Sequence, residues 1–303
     1  MDRFADIEAL VAVVESGTFS GAGERLGVAK SIISRRVSQL EQRLGSRLLH
    51  RTTRRLSLTD AGRNFYQRAV QILADLDDAE QGVSNETAEL RGALKVAAPL
   101  SFGLAHLSSA LTDFLDQHPA IEVNLDLNDR NINLVEEGFD LAVRIGELED
   151  STLVARRLGT SRMVTCASRA YLDRHGEPLH PDDLQRHTGL QYSNISYKQH
   201  WQFVTRDGNT LQAQPQIRIR ANNGEALACA AAAGMGITTG PTFILGRYLK
   251  EGKLQRILSD YRRPSIGIFA VTPPGRLLPQ RVQLLIEFLS RRFGDQPYWD
   301  EHL

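Results

Sequence analysis

Residues Phe19 to Gly62 read FSGAGERLGVAKSIISRRVSQLEQRLGSRLLHRTTRRLSLTDAG, and the spacing of their apolar positions decides the fold of this end of the chain. From Ser31 to Leu44 the apolar residues Ile33, Val37, Leu40 and Leu44 recur at helical intervals, and Gly45 stands where a left-handed C-terminal cap belongs. A shorter helix precedes it, opened by Ser20 at the N-cap position, reaching Leu26 and broken at Gly27-Val28. Upstream, Phe4, Ile7, Leu10, Val11 and Val14 form one apolar helical face that Gly17 terminates, with Phe19 as a core anchor. A short helix, a glycine-containing turn and a longer helix with small polar and basic residues at its start make a helix-turn-helix. Lys30, Ser31, Ser34, Arg35 and Ser38 lie off the apolar stripe. Such residues suit the major groove: small ones let the backbone approach, hydroxyls reach base edges or phosphates, and arginine forks onto guanine. Leu56 and Leu58 then alternate with Ser57, which predicts a small hairpin or wing. Its tip, Arg51 to Arg55, would meet phosphates or a narrow minor groove. The expected partner is double-stranded DNA, contacted by Ser20, Lys30, Ser31, Ser34, Arg35, Ser38, Arg51, Thr52, Thr53 and Arg54.

Charge agrees with this only when read locally. The 303 residues carry 36 Lys and Arg against 36 Asp and Glu, and a neutral average by itself argues against a nucleic-acid binder. From Arg25 to Arg55, however, nine basic residues face one acid, a net charge of +8, and from Asp60 to Leu90 seven acids face two arginines, a net −5. A sharply basic block at one end of a neutral chain reads as a polyanion-binding module joined to something else, and otherwise as a solvated helix face. The N-terminus lacks the basic start and apolar run of a secretory signal, and no stretch is long and apolar enough for a membrane span, so the expectation is a cytoplasmic protein without a membrane partner. Cys166 and Cys229 are too few for a disulfide framework, although the two thiols could still pair in space as a redox sensor. The eight histidines show no metal-binding spacing, and His175, His180 and His187 fall in a polar stretch expected to be exposed. Gly234-x-Gly236 follows a helix and lacks a third glycine, so it does not read as a nucleotide loop. Neither metal nor cofactor is expected.

The interlocked pattern in the opening segment resembles the DNA-binding domain of the LysR-type transcriptional regulators. It includes the frame Ser34-x-x-Val37-x-x-Leu40-Glu41-x-x-Leu44-Gly45, the wing Arg51-Thr52-Thr53-Arg54 and the exit Leu58-Thr59-x-Ala61-Gly62. Two positions depart from it. Gly23 stands where the family usually has alanine and should loosen the second helix by up to ~1 kcal/mol. Lys30 replaces a frequent glutamine and suits a phosphate contact. Downstream, Phe65, Ala69, Ile72, Leu76, Ala79 and Val83 follow a heptad a/d seam. That seam could pack on the chain's own C-terminal domain or on a second copy. The resemblance implies the second: a homodimer or homotetramer matched to an operator with two-fold related half-sites.

The remaining residues alternate strands and helices. Leu94–Ala98, Ile121–Leu127 and Asp140–Ile145 read as strands, with a helix from Ser101 to about His118 and another over Ile132–Glu137 capped by Gly138. This βαβαβ order predicts a mostly parallel sheet with a ligand crevice at the strand C-termini. A second unit starts at Met163–Ala167, followed by a helix from Ser168 to Gly176, strands near Leu190, Trp201 and Ile217–Arg220, and an alanine-rich helix from Glu225 to Ala233. Ile266–Val271 is a last strand and Leu284–Phe293 lies in an amphipathic helix. The expected fold is α/β: an N-terminal winged helix-turn-helix over residues 1–59, a long linker and dimerisation helix over 60–90, and a bilobed effector-binding domain over 91–303. Lobe I would take about 91–161 and 269–303, and lobe II about 162–268. This bilobed pattern resembles the effector domain of the same family, itself similar to periplasmic solute-binding proteins. Gly138-Phe139-Asp140-Leu141-Ala142-Val143-Arg144-Ile145-Gly146 and Ala233-Gly234-Met235-Gly236-Ile237 carry the match.

The resemblance implies an effector cleft formed by Ser101, Phe102, Asn128 and Arg144 on one lobe and by Cys166, Asn222 and Asn223 on the other. Backbone N–H groups at helix starts near Ser101 and Asn223 favour carboxylates, so an organic acid is the expected small-molecule effector. The same residues could equally serve structure alone, Ser101 and Asn222 as caps and Arg144 as the partner of a nearby acid. The expected function is a sequence-specific, effector-controlled transcriptional regulator rather than an enzyme. The rival is a bilobed solute-binding protein or enzyme with an N-terminal oligomerisation arm. Such a binding protein would need export, and an enzyme would need a convergent acid, base or nucleophile set that the sequence does not display.

Overall fold

The computed structural model describes residues 2–51, 56–83, 90–130, 132–146, 153–194, 200–274, 278–294 and 296–300; the side chains of 51, 67, 71, 75 and 77–83 are also left undescribed. Backbone contacts divide the chain into two bodies, residues 1–92 and 93–303.

In the first body, α1 (Arg3–Ser16) begins at Asp2, whose carboxylate accepts from the Phe4 and Ala5 amides, and ends at Gly17 in the left-handed region. α2 (Phe19–Leu26) is capped by Thr18, whose hydroxyl accepts from the Gly21 amide. Ser20 is therefore not the cap: the helix starts one residue earlier than the sequence pattern placed it, and Ser20 lies exposed within its first turn. Gly23 does more than lower helix propensity, because an added Cβ would fall 2.7 Å from the Val28 carbonyl oxygen. The turn into α3 (Lys30–Leu44) closes against that bare backbone. α3 buries Ile33, Val37 and Leu40 and ends at Gly45 (φ 64°). The wing pairs β1 (Leu49–Arg51) with β2 (Leu56–Leu58) in antiparallel register. Glu41 joins helix to wing by accepting from the Leu48 amide at 2.8 Å and the Leu49 amide at 3.2 Å. Ala9, Leu10, Val13, Ala22, Ile33, Val37, Leu40, Leu48 and Leu49 form one core, with Phe65 packed against it.

α4 (Asp60–Val83) leaves the wing at Thr59, whose hydroxyl donates to the Arg47 carbonyl and accepts from the Gly62 amide. Gly62 has to lack a side chain, since a Cβ would lie 2.0 Å from the Leu48 carbonyl oxygen. Along this helix the heptad expectation holds only in part. Phe65 packs on the domain core and Ala69 is fully buried, so neither is available to a seam with another chain. Ile72 is 40% exposed and Leu76 half-buried. Ala79 and Val83 lie outside the described side chains.

The second body holds two five-stranded sheets. Lobe I orders β4 (Ile121–Leu127), β3 (Gly92–Ala98), β5 (Leu141–Gly146), β14 (Ile266–Thr272) and β6 (Val154–Ser161). Lobe II orders β11 (Gln216–Ala221), β8 (Thr188–Tyr192), β12 (Ile237–Pro241), β7 (Met163–Ala167) and β13 (Gln255–Arg256). The sheets are mixed rather than mostly parallel: β14 runs antiparallel to β5 and β6, and β12 runs antiparallel to β7. The cause is topological, because β14 comes back from the other lobe and enters the sheet against its direction. The chain crosses from lobe I to lobe II at Arg162 and returns before Ile266, where β14 begins. A hairpin of β9 (Trp201–Val204) and β10 (Thr210–Ala213) covers lobe II and delivers Trp201 and Phe203 to its core.

Helices then set the functional ends of the strands. After β3, α5 (Leu100–Phe102) passes through a π-turn at Gly103–Leu107 into α6 (Ser108–Gln117). Its N-cap position is Pro99; Ser101 sits one residue inside the helix and does not cap it. α7 (Leu134–Glu137) follows β4, α8 (Arg169–His175) is capped by the Ser168 hydroxyl, and α9 (Gly224–Ala232) by Asn223. α10 (Thr242–Lys250), which no pattern in the sequence had marked, packs beside α9, and α11 (Gln280–Phe293) buries Val282, Leu285, Ile286, Leu289 and Phe293. His187 is 6% exposed and meets the Tyr171 hydroxyl at 3.2 Å, so it belongs to the interior, not to a polar surface.

Candidate functional site

On the first body, the face of α3 opposite Ile33, Val37 and Leu40 carries Ser31, Ser34, Arg35 and Ser38, with Lys30 at its start. Lys30, Ser31 and Arg35 are exposed, and Ser34 and Ser38 half-buried. Lys30 and Arg35 have no ion-pair partner among the described residues. The rest of the basic block divides. Arg25 pairs with Glu15, and Arg43 reaches the buried Asp6 carboxylate at 2.9 Å, so these two cations stabilise the fold. Glu15 also accepts from the Tyr66 hydroxyl, which burial and this carboxylate push above its ordinary pKa. Thr52, Thr53 and Arg54 lie outside the described residues, as does the Arg51 side chain.

On the second body the two lobes meet through a small polar group. The Asn223 amide nitrogen donates to the Ser101 hydroxyl at 3.1 Å and to Asp129 Oδ2 at 2.8 Å. Asp129 Oδ1 accepts from the Leu100 amide at the start of α5, and its backbone carbonyl accepts from Asn194 Nδ2 at 2.6 Å. Ser101 and Asn223 are thus brought together across the lobes, but the helix-start donors are already engaged. Leu100 N–H points at Asp129, and the Glu225 and Ala226 amides point at Asn223 Oδ1.

The other expected cleft residues fare differently. Phe102 is fully buried, with Phe243, Phe293 and Trp299 set edge-on at 5.3, 5.2 and 5.9 Å; it is core, not ligand surface. Asn128 turns onto its own loop, donating to Asp126 and accepting from the Arg130 amide. Arg144 donates to the Ile132 carbonyl at 3.0 Å and, among the described residues, bonds neither an acid nor the Ser101 group. Cys166 is fully buried in mid-sheet, where desolvation pushes its thiol up to about 12, so it does not open to a cleft. Cys229 is exposed, its sulfur 3.1 Å from the Tyr248 hydroxyl, and both cysteines are free thiols. Asn222 is exposed and leaves capping to Asn223.

Two residues were missed. Asp129, one position past the expected Asn128, was hidden because a strand-end acid has no sequence signature of its own. His106 bridges the lobes: Nε2 meets the Phe243 carbonyl at 3.1 Å and Nδ1 meets the Tyr298 hydroxyl at 2.6 Å. Burial holds its pKa below the ordinary imidazole value. Among the described residues no group of His, Cys, Asp or Glu could hold a metal ion, and no helix is long and apolar enough to cross a membrane.

A helix-turn-helix with a basic reading face, joined to a bilobed α/β domain with polar contacts between its lobes, defines a DNA-binding protein that carries a ligand-sensing module. Residues 4–63 match the family described as bacterial regulatory helix-turn-helix protein, lysR family, and residues 87–294 match the LysR substrate binding domain. The chain belongs to the LysR family of transcriptional regulators. It is 39% identical to an HTH-type transcriptional regulator of Haemophilus influenzae over 93% of this chain and 98% of that one. It is 36% identical to the regulator PtxR of Pseudomonas aeruginosa, covering 96% and 93%. Among solved structures, CrgA of Neisseria meningitidis matches with a TM-score of 0.60 at 33% identity over 96% and 99% of the two chains. The Vibrio cholerae virulence activator AphB matches with 0.58 at 27% over 95% and 98%.

Proposed function

We propose that this regulator reads a two-fold symmetric operator through α3, as a cytoplasmic homodimer or homotetramer, and that a small organic acid seated between the lobes sets its activity. The DNA half is supported by the exposed stripe of Lys30, Ser31 and Arg35, whose two cations have no protein partner among the described residues. Replacing Arg35 or Ser34 by alanine should cost about 1–3 kcal/mol of discrimination between operator variants per lost base contact. Arg51→Ala or Arg54→Ala should weaken all sequences alike and flatten the salt dependence. Equal losses on operator and random DNA for the α3 variants would refute this division.

The effector half is supported by Asp129. The Leu100 amide and the Asn223 side chain already hold a carboxylate, the chain's own, so the seat has the chemistry an organic acid requires. An effector carboxylate would take that place, with Ser101 beside it. Calorimetry should then find that Ser101→Ala loses about 0.5–1.5 kcal/mol of effector affinity, while Asp129→Ala gains affinity by removing a competing anion. If both folded variants bind a DNA-modulating acid as the parent does, the effector sits elsewhere.

A further inference from the structure

Both passages between the lobes contribute to a single cavity. Arg162 links β6 to β7 at the first passage, and Ser265 stands directly before β14 at the second. With Arg157 and Thr160 of β6 and Asp300 of the C-terminal turn (Tyr298–Asp300), they line a cavity of about 330 Å³. Arg162 Nε lies 3.2 Å from Asp300 Oδ2. Asp300 is only 9% exposed: its Oδ1 is enclosed, with no partner among the described residues, and Oδ2 is the oxygen turned to Arg162. Arg157 is exposed and is held by the Thr160 hydroxyl and, at 3.5 Å, by the Gly159 carbonyl; no acid neutralises it among the described residues. The lining thus offers two guanidinium groups and two hydroxyls against one carboxylate, an excess of one positive charge.

We propose that this hinge cavity is a ligand site for a small monoanion that carries its own hydrogen-bond donor, such as an α-hydroxy acid. It is separate from the seat at Ser101 and does not depend on it. Guanidinium and hydroxyl groups recognise a carboxylate by charge-assisted hydrogen bonds. One excess charge matches one carboxylate. A ligand made only of acceptors would set its oxygens against Asp300, whereas a neighbouring hydroxyl or ammonium group donates to it. The volume is at the small end for ligand sites and is ample for a small acid. Because the walls come from both passages, the ligand favours whichever lobe arrangement brings Arg157, Arg162 and Ser265 together, and so biases the hinge.

Lactate and propionate separate the parts of this proposal, being the same carboxylate with and without the donor. Titrated into the full chain, lactate should bind and propionate should bind about tenfold more weakly, the weight of one hydrogen bond to a charged acceptor. Arg157→Gln and Arg162→Gln should each weaken lactate about fivefold or more by removing a charge-assisted bond, and Ser101→Ala should change nothing. Absence of lactate binding at concentrations on the order of tens of millimolar overturns the site, and equal affinity for both acids overturns the role of Asp300. Loss of binding in Ser101→Ala, but not in the arginine variants, overturns it by placing the ligand between the lobes. Arg162→Gln breaks the pair with Asp300 and so risks the fold; Arg157, exposed and unpaired with any acid among the described residues, then carries the test.

Discussion

His106 shows how one side chain ties protonation to the arrangement of the lobes. It sits on the π-turn of lobe I, where one extra residue per turn swings it toward α10 and the C-terminal turn. The carbonyl of Phe243 requires a donor at Nε2, and the Tyr298 hydroxyl can donate to Nδ1, so the neutral ring satisfies both contacts. Burial disfavours the imidazolium, so the folded pKa lies below the ordinary 6.5. Above 6.5 neither the folded nor the unfolded ring is charged and the contribution to stability is complete. As pH falls below 6.5 the unfolded chain takes up a proton first, and stability is lost until the folded ring titrates as well. The melting temperature of the effector domain should therefore drop from pH 7 toward pH 5, and His106→Gln should make the drop shallower. His187, also held low by burial and by His175, remains in that variant, so part of the slope persists. An unchanged slope in His106→Gln would remove His106 from this account.

At the scale of elements, α4 divides its apolar stripe between two duties. Phe65 packs into the core of its own domain and Ala69 is buried, whereas Ile72 is 40% exposed, an expense for an apolar side chain that a second helix would relieve. Any pairing seam therefore starts at Ile72 and not at Phe65. Ile72→Asp should lower the oligomer seen by light scattering while leaving the unfolding of the effector domain in place, because an unpaired carboxylate would be buried in the seam. An unchanged oligomer would mean that the association is carried elsewhere. Phe65 and Ile72 look alike in sequence, since a heptad records which face is apolar and not which neighbour covers it. The helix-turn-helix was legible for the opposite reason: Gly17, Gly27 and Gly45 all adopt the left-handed caps their spacing implied, and the wing pairs at Leu56–Leu58. Of the expected cleft residues, Ser101 and Asn223 come together across the lobes, although Ser101 does not cap its helix. Phe102 and Cys166 were misread because the inward and outward positions of a two-faced sheet domain give the same apolar signal.

For the whole molecule each body is neutral on balance, and the basic block within the first is less available than its count suggests. A cation that contacts DNA phosphate releases a condensed counterion, and the logarithm of the binding constant falls with the logarithm of salt by about 0.9 per phosphate neutralised. Arg25 and Arg43 are already compensated by Glu15 and Asp6, leaving at most seven of the nine cations between Arg25 and Arg55 for this exchange. The salt dependence per protomer should then be no steeper than about −6, where the bare sequence would allow about −8. A steeper measured slope would mean that DNA opens the Glu15 or Asp6 pair on binding. The acids of α1 therefore act as resident counterions, and two of the arginines in the reading head are, to the ionic atmosphere of DNA, not there.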